Sequence, residues 1–415
     1  TLAPQTDLML SYGLNSTKYV NVSLTTTSPG VLLESINSIT AVECSVNSVS
    51  MVFNSSETLD AALAEWSGYD ELVLVTNHMG DCDTEFERGF FVAAEWTSDS
   101  SALSLVASAE KTNVTNVASY MRANFTGLPS TTSTVTSTRR RKRDVVIDPS
   151  DVTISTEWDL PATTLYEYDP YFTAKADSGA VALSVMLGGY LDFDVSSATL
   201  ASLYVDVETT TSVDLVLELD VTAPYDGNFS YGDGVEYYLV NVPGILTFGP
   251  ELTLAVGAEI SVDAAVDIVL DLGAEIDNGT VHLDLVGNGT TAAGWTPSYH
   301  ANLTLGEEAT VGVTPFVSVT VELDFEILGG LLDLSAGLTP EVSFPVTATL
   351  DAAQGVSAGT GTNVTVAQVV DGAGCSNGVE VLSDFEFNLE LFVTEFWSES
   401  LYNVTVPIAD ECYSW

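Results

Sequence analysis

The chain is expected to be all-β in two parts: an N-terminal antiparallel β-domain with one short helix, followed by a larger, long-stranded antiparallel β-sandwich or bent-sheet domain. Three observations predict this. Apolar and polar residues alternate at period two over most of the 415 positions. The alternating runs lengthen in the second part, to nineteen residues in ATVGVTPFVSVTVELDFEI. Helix signals are confined to one stretch. A hydrophobic fraction of 46% argues for packed cores even at a net charge of -48.

Residues 1–125 form the first domain. Its runs are DLMLSYG, KYVNVSLT, AVECSV, VSMVFN, ELVLVTN, FFVAAEW and ALSLVAS, separated by Gly, Asn, Asp and Ser. The helix is predicted over about Glu57 to Trp66, capped by Ser55 or Ser56, with Leu59, Leu63 and Trp66 on one face. Residues 126–143 are a linker. TGLPSTTSTVTST has no apolar periodicity, and Arg139, Arg140, Arg141, Lys142 and Arg143 follow it. Residues 144–172 read as an extended segment. Residues 173–415 form the second domain, with strands in LASLYVDVE, SVDLVLELDV, VEYYLVNV, ELTLAVGAEISVD, AVDIVLDLG, TVHLDLV, EVSFPVTATLD, VEVLSDFEFNLELFV and YNVTVPI. No strict repeat appears, which argues against a solenoid.

Charge is distributed unevenly. Up to residue 138 there are fifteen acids and four bases, Lys18, Arg88, Lys111 and Arg122; from Asp144 onward there are forty-three acids and only Lys175. The later carboxylates must be solvated, neutralised by cations or matched by a partner. Nucleic acid is excluded as a partner, since nothing releases counterions from phosphate.

A secretory route is expected from three signals. Eleven N-x-[ST] sequons start at Asn15, Asn21, Asn54, Asn113, Asn124, Asn228, Asn278, Asn288, Asn302, Asn363 and Asn403. Four cysteines suggest one disulfide per part, Cys44 to Cys82 and Cys375 to Cys412. The five-base run reads as a kexin- or furin-type cleavage site before Asp144, because secretion removes nuclear targeting and the surrounding acidity opposes a polyanion patch. Thr1 reads as a mature N-terminus. The apolar stretch Ala180 to Leu191 is too short and Gly-interrupted to span a bilayer.

No constellation points to catalysis. His78, His282 and His300 are scattered; NHMGDCDTE, with Asp81, Asp83, Glu85 and Glu87, reads as a carboxylate-rich loop pinned by Cys82. No cofactor is expected, calcium being the one candidate cation because oxygen ligands abound. Asp226, Asn228, Ser230 and Asp233 imitate the start of an EF-hand loop, but Tyr231 and Tyr237 occupy its glycine and final-acid positions, so a turn is expected. Asp263, Asp267 and Asp271 are expected to face solvent from a strand. Gly359 and Gly361 lack the rest of a dinucleotide fingerprint, and Gly372, Gly374 and Gly378 have turn spacing. Trp158, Tyr237, Tyr238, Trp295, Phe396 and Trp397 are expected in cores, with sugar stacking as the alternative.

The segments DLMLSYG, SPGVLLESINSITAVECSVNSVSMVFN, the helix ending AEW, and ELVLVTNHMGDC resemble an N-terminal domain of unknown function found in secreted fungal proteins. NVPGILTFGPELTLAVGAEISVDAAVDIVLDL, GWTP at Gly294 to Pro297, and GCSNGVEV at Gly374 to Val381 resemble its frequent C-terminal partner domain. The resemblance implies a two-domain split with basic processing between the parts, an extracellular setting and a fungal or other microbial eukaryote source. It brings no catalytic residues.

These readings converge on an expectation: a non-enzymatic, glycosylated extracellular or cell-surface subunit, processed by a kexin- or furin-like protease. It would assemble with itself into fibrils or a coat by β-strand addition. The strand donor would be the segment after the cut, the Ser/Thr-rich tail or the N-terminal TLAPQTDLMLSYG. The alternative is a carbohydrate-binding or adhesive module that meets cell-wall glycans and does not polymerise.

Overall fold

A computed structural model describes residues 2–15, 18–77, 79–83, 87–126, 132–135, 154–236, 240–242, 244–306, 310–349, 354–360, 365–366, 378–393 and 397–414. The chain is all-β and two-part, with two sheets and two helices among these residues.

The first part contributes β1 (Gln5–Asn15), β2 (Lys18–Leu32), β3 (Ile39–Ser45), β4 (Ser48–Phe53), α1 (Ser56–Trp66), β5 (Leu72–Val75), β6 (Phe90–Asp99), β7 (Ser104–Thr112), α2 (Val114–Val117) and β8 (Ala118–Thr126). The long β2 belongs to two arrays. Its C-terminal end pairs in parallel with β5, from which β6, β7, β4 and β3 follow antiparallel. Its N-terminal stretch lies between β1 and β8. Ser55 caps α1 by accepting from the Thr58 amide at 3.3 Å, and Leu59, Ala62 and Trp66 are buried. The Trp66 ring lies 5.3 Å from Trp96 and its Nε1 donates to the Leu2 carbonyl at 2.7 Å, so helix, sheet and N-terminal segment share one core. A disulfide joins Cys44 on β3 to Cys82 in the loop after β5.

The second part begins with β9 (Thr132–Val135), β10 (Ile154–Tyr168), β11 (Phe172–Asp194), β12 (Thr199–Val221), β13 (Tyr225–Glu236), β14 (Val240–Val242), β15 (Leu246–Val262) and β16 (Val266–Asp284). It continues with β17 (Thr291–Ala293), β18 (Ser298–Leu305), β19 (Thr310–Ile327), β20 (Leu332–Ser343), β21 (Val346–Thr349), β22 (Gln354–Gly359), β23 (Thr365–Val366), β24 (Gly378–Val393) and β25 (Trp397–Ser414). One sheet runs β10, β11, β12, β16, β18, β22, β23. The other runs β13, β15, β19, β20 with β21, β24, β25. Their inner faces enclose one core in which aromatic pairs bridge the sheets: Phe172 with Phe229 at 5.7 Å, Trp295 with Phe387 at 5.9 Å, and Tyr299 with Phe385 at 4.1 Å.

Three differences from the sequence reading have physical causes. LASLYVDVE and SVDLVLELDV are one strand, β12; the apolar pattern lapses at Thr209 to Thr211, yet Thr209 and Thr211 continue the inward face as buried threonines. AVDIVLDLG and TVHLDLV are likewise one strand, β16. An irregularity opposite Thr209 and Thr211 switches its inward positions from even (Val266 to Ile276) to odd (Val281, Leu283). The expected turn at Asp226 to Asp233 is instead strand β13, in unbroken register with Glu251 to Val262 of β15.

The boundary between the parts is crossed by sheet and core alike. On one side of β11, Phe172–Val185 pair with β10 while Gly189–Asp194 pair with Tyr120–Phe125 of β8. Phe125 is 1% exposed and its ring lies 5.3 Å from Phe248 of the opposite sheet. It lies against Gly189, where a Cβ would come within 2.6 Å of the ring and 2.4 Å of the Tyr204 carbonyl. The same device recurs where Gly257 faces Phe316, Gly273 faces His300 and Gly337 faces Phe392. Glycines inside these strands make room for a ring on the neighbouring strand.

Candidate assembly edges and modification sites

Strand β9 ends at Val135 and β10 begins at Ile154, and β9 pairs in parallel with the start of β10, Thr132–Val135 against Ser155–Trp158. The predicted cleavage residues Arg139, Arg140, Arg141, Lys142, Arg143 and Asp144 lie between these points, outside the described residues. Of the segment 144–172, residues from Ile154 are already committed: β10 pairs with β11 along its length, and Trp158 and Leu160 are buried. The N-terminal TLAPQTDLMLSYG is committed too, with Asp7–Gly13 of β1 registered against Tyr19–Thr25 of β2.

Seven sequon asparagines, Asn54, Asn113, Asn124, Asn228, Asn278, Asn288 and Asn403, are exposed, and Asn21 and Asn302 are half-buried. Asn302 donates to Asp271 at 2.9 Å. Asn363 lies outside the described residues, and Asn15 ends β1. Asn278 sits at the β16 irregularity. Asn21 and Asn124 are direct cross-strand partners, so they share one sheet face.

Strands with a partner on one side only mark the sheet edges. Among the described residues, β1 pairs with β2 alone, β13 with β15 alone and β25 with β24 alone. They span 11, 12 and 18 residues, against a usual strand length of about 5–6. Asn228 and Asn403 lie within β13 and β25, whereas the sequon of β1 is at its last residue. Backbone from Gln5 to Gly13 is therefore an edge stretch clear of a glycan acceptor, as is Val404–Ser414 of β25 beyond its sequon asparagine.

Several charged groups have structural partners. Asp83 accepts from Thr76 at 2.6 Å and from Lys111 at 2.8 Å, anchoring the loop beside Cys82. Arg88 pairs with Glu34 at 2.6 Å, covers the Tyr12 ring and donates to the Ser11 carbonyl. Arg122 reaches Asp192 at 3.5 Å across the junction between the parts. His282 lies 2.6 Å from Asp206 and against the Tyr204 ring. His300 lies 3.7 Å from Asp271. His78 and Glu85 lie outside the described residues. Asp267 and Asp271 face outward from β16, and Asp263 accepts from the Thr310 amide in the preceding turn. Burial, reinforced by Glu390 and Glu386, pushes the Glu341 carboxyl above its ordinary value. Among the described residues no group of three or more His, Cys, Asp or Glu is arranged to hold a metal, and no helix is long and apolar enough to cross a membrane.

Of the six aromatics singled out in the sequence, Trp158 and Trp295 are core residues. Tyr237, Tyr238 and Phe396 lie outside the described residues, and of Trp397 only the backbone, at the start of β25, is described. The second expected disulfide involves Cys375, also outside them; Cys412 lies on β25 opposite Glu380.

Residues 23–122 match a domain of unknown function, DUF7029. The match begins within β2 and ends within β8, so it takes in the disulfide, α1 and the smaller core. It agrees with the resemblance of the N-terminal motifs to a domain of unknown function. No curated protein and no solved structure matches the chain.

Proposed function

We propose that the protein is a non-enzymatic, N-glycosylated extracellular structural subunit, cut between Arg143 and Asp144, that assembles into fibrils or a coat by strand addition. The observation that carries this reading is the pair of long sheets ending in strands with unpaired edges. Edge N–H and C=O groups template another strand unless they are blocked. Sequons within β13 and β25 supply such blocks, and β1 lacks one between Gln5 and Gly13. We take β1 as the acceptor edge. The donor is the segment from Asp144 up to Ile154, freed at one end by the cut; at about 3.3 Å per residue its ten residues reach some 33 Å when extended. The contact is heterologous and therefore propagates into a filament.

Electron microscopy of the secreted, processed protein tests this. Filaments are expected, and they should be lost on Arg143→Ala, which blocks the cut, and on Met9→Lys, which charges the exposed side of β1, where Met9 is 56% exposed. Filaments that persist in both variants would exclude this donor and edge.

A further inference from the structure

Among the described residues one group of aromatic rings opens to solvent. At the β10–β11 hairpin Tyr168 and Tyr171 are 50% and 44% exposed. Their rings stack at 5.7 Å with 25° between planes. Tyr225, at the start of β13, lies 6.2 Å from Tyr168 and stacks at 5.0 Å on the buried Phe172, which in turn contacts Phe229 in the core. The group thus runs from the sandwich interior to the surface. Its turn is held in place: the Tyr171 amide donates to the Tyr168 carbonyl at 2.8 Å, the Thr222 amide donates to the Tyr171 carbonyl at 3.0 Å, and the Thr222 hydroxyl donates to the Pro170 carbonyl.

We infer that Tyr168, Tyr171 and Tyr225 form a preorganised platform for a neutral or amino-sugar polysaccharide. Half-exposed rings anchored by a buried one present a rigid apolar face with hydroxyls at its rim, the surface on which the C–H face of a pyranose ring packs. Exposed carboxylates flank it at Glu167, Asp169, Asp220 and Asp226, supplying acceptors for sugar hydroxyls or ammonium groups. The charge selects among saccharides. With Lys175 the only base after Arg143, sulfated and uronic polymers are repelled, whereas neutral and amino sugars are not. The platform stands independently of the assembly reading and gives a structural subunit a means of attachment to a glycan matrix.

The test is isothermal titration of the full-length Met9→Lys protein, so that self-assembly does not enter, with a β-glucan oligosaccharide, a chito-oligosaccharide and heparin in separate arms. Saturable binding of the glucan or the chito-oligosaccharide is expected, and the two arms distinguish the neutral from the amino sugar. Heparin should give no signal. Tyr168→Ala and Tyr171→Ala should each weaken binding about tenfold, and Tyr168→Phe, which keeps the ring, should change it less than about threefold. In the unsubstituted protein, bound oligosaccharide should protect Tyr168 and Tyr171 from nitration, read by peptide mass spectrometry without reliance on any variant's folding. Absence of binding at millimolar oligosaccharide, unchanged affinity in both alanine variants, no protection, or binding of heparin alone would each overturn the inference.

Discussion

Cutting the chain after Arg143 should leave its two pieces associated, although the Cys44–Cys82 disulfide lies wholly within the first. The junction includes the parallel pairing of β9 with β10 and, chiefly, the pairing of β8 with β11, whose inward positions set Phe125 against Gly189, Ala123 against Leu191 and Met121 against Phe193. Phe125, Met121, Leu191 and Phe193 are almost fully buried. At about 1.5–3 kcal/mol for each large apolar side chain, exposing these four costs about 6–12 kcal/mol as an upper estimate, before the strand pairing is counted. Phe125→Ala removes the ring that fills the space above Gly189 and touches Phe248, a loss of about 3–5 kcal/mol. At 1.4 kcal/mol per decade, the cut variant should dissociate at concentrations roughly two to three and a half powers of ten higher than cut wild type. Size-exclusion chromatography of the cut protein over a dilution series measures this, with non-reducing gels to identify the pieces. Cut wild type should elute as one species carrying both fragments and should separate in denaturant without reductant. Separate elution of the wild-type fragments under native conditions, or an unchanged dilution profile for Phe125→Ala, would refute the reasoning.

Other consequences can be measured on the uncut chain. Replacing Cys44 and Cys82 by serine opens a loop with a sequence separation of 38, so chain entropy predicts a loss of about 4 kcal/mol in denaturant unfolding; a loss under about 1 kcal/mol would show the loop to be held by other contacts. The Thr209 and Thr211 hydroxyls are buried without a hydrogen-bond partner among the described residues, so Thr211→Val should stabilise the fold by about 1 kcal/mol, and a drop in melting temperature would reveal a hidden partner. Because the folded-state pKa of Glu341 is raised, ionisation of this carboxyl opposes folding. Its penalty is absent below the unfolded-state pKa and complete above the folded-state one, so Glu341→Gln should raise the melting temperature at pH 7 and leave it unchanged at pH 3. An equal rise at both values would point to packing rather than charge.

The sequence is most legible where one face is strongly apolar. Helix α1 lies where its cap and apolar spacing place it, with Ala62 joining Leu59 and Trp66 on the buried side. The alternating runs from Leu252 through Leu391 fall on observed strands. Legibility fails where alternation is carried by small or polar residues. The first half of strand β11 is largely Ala, Lys, Ser and Gly, and its Gly189 marks a neighbouring ring instead of a break. Nor does local pattern reveal which strands meet. Pairing of β8 with β11 depends on contacts about seventy residues apart, and a composition shift at the linker gives no sign that residues before and after it share one core. The Tyr168 and Tyr171 platform is hidden for a related reason: these two residues resemble strand-core tyrosines until the turn and Tyr225 are brought together.

Intact mass analysis combined with electron microscopy of the native protein tests strand-addition assembly most directly, since one sample reports cleavage, glycan occupancy and assembly. The predicted result is a chain cut between Arg143 and Asp144, glycans on exposed sequons, and filaments that contain both fragments. Fully cut, glycosylated protein that remains a monodisperse monomer would contradict it.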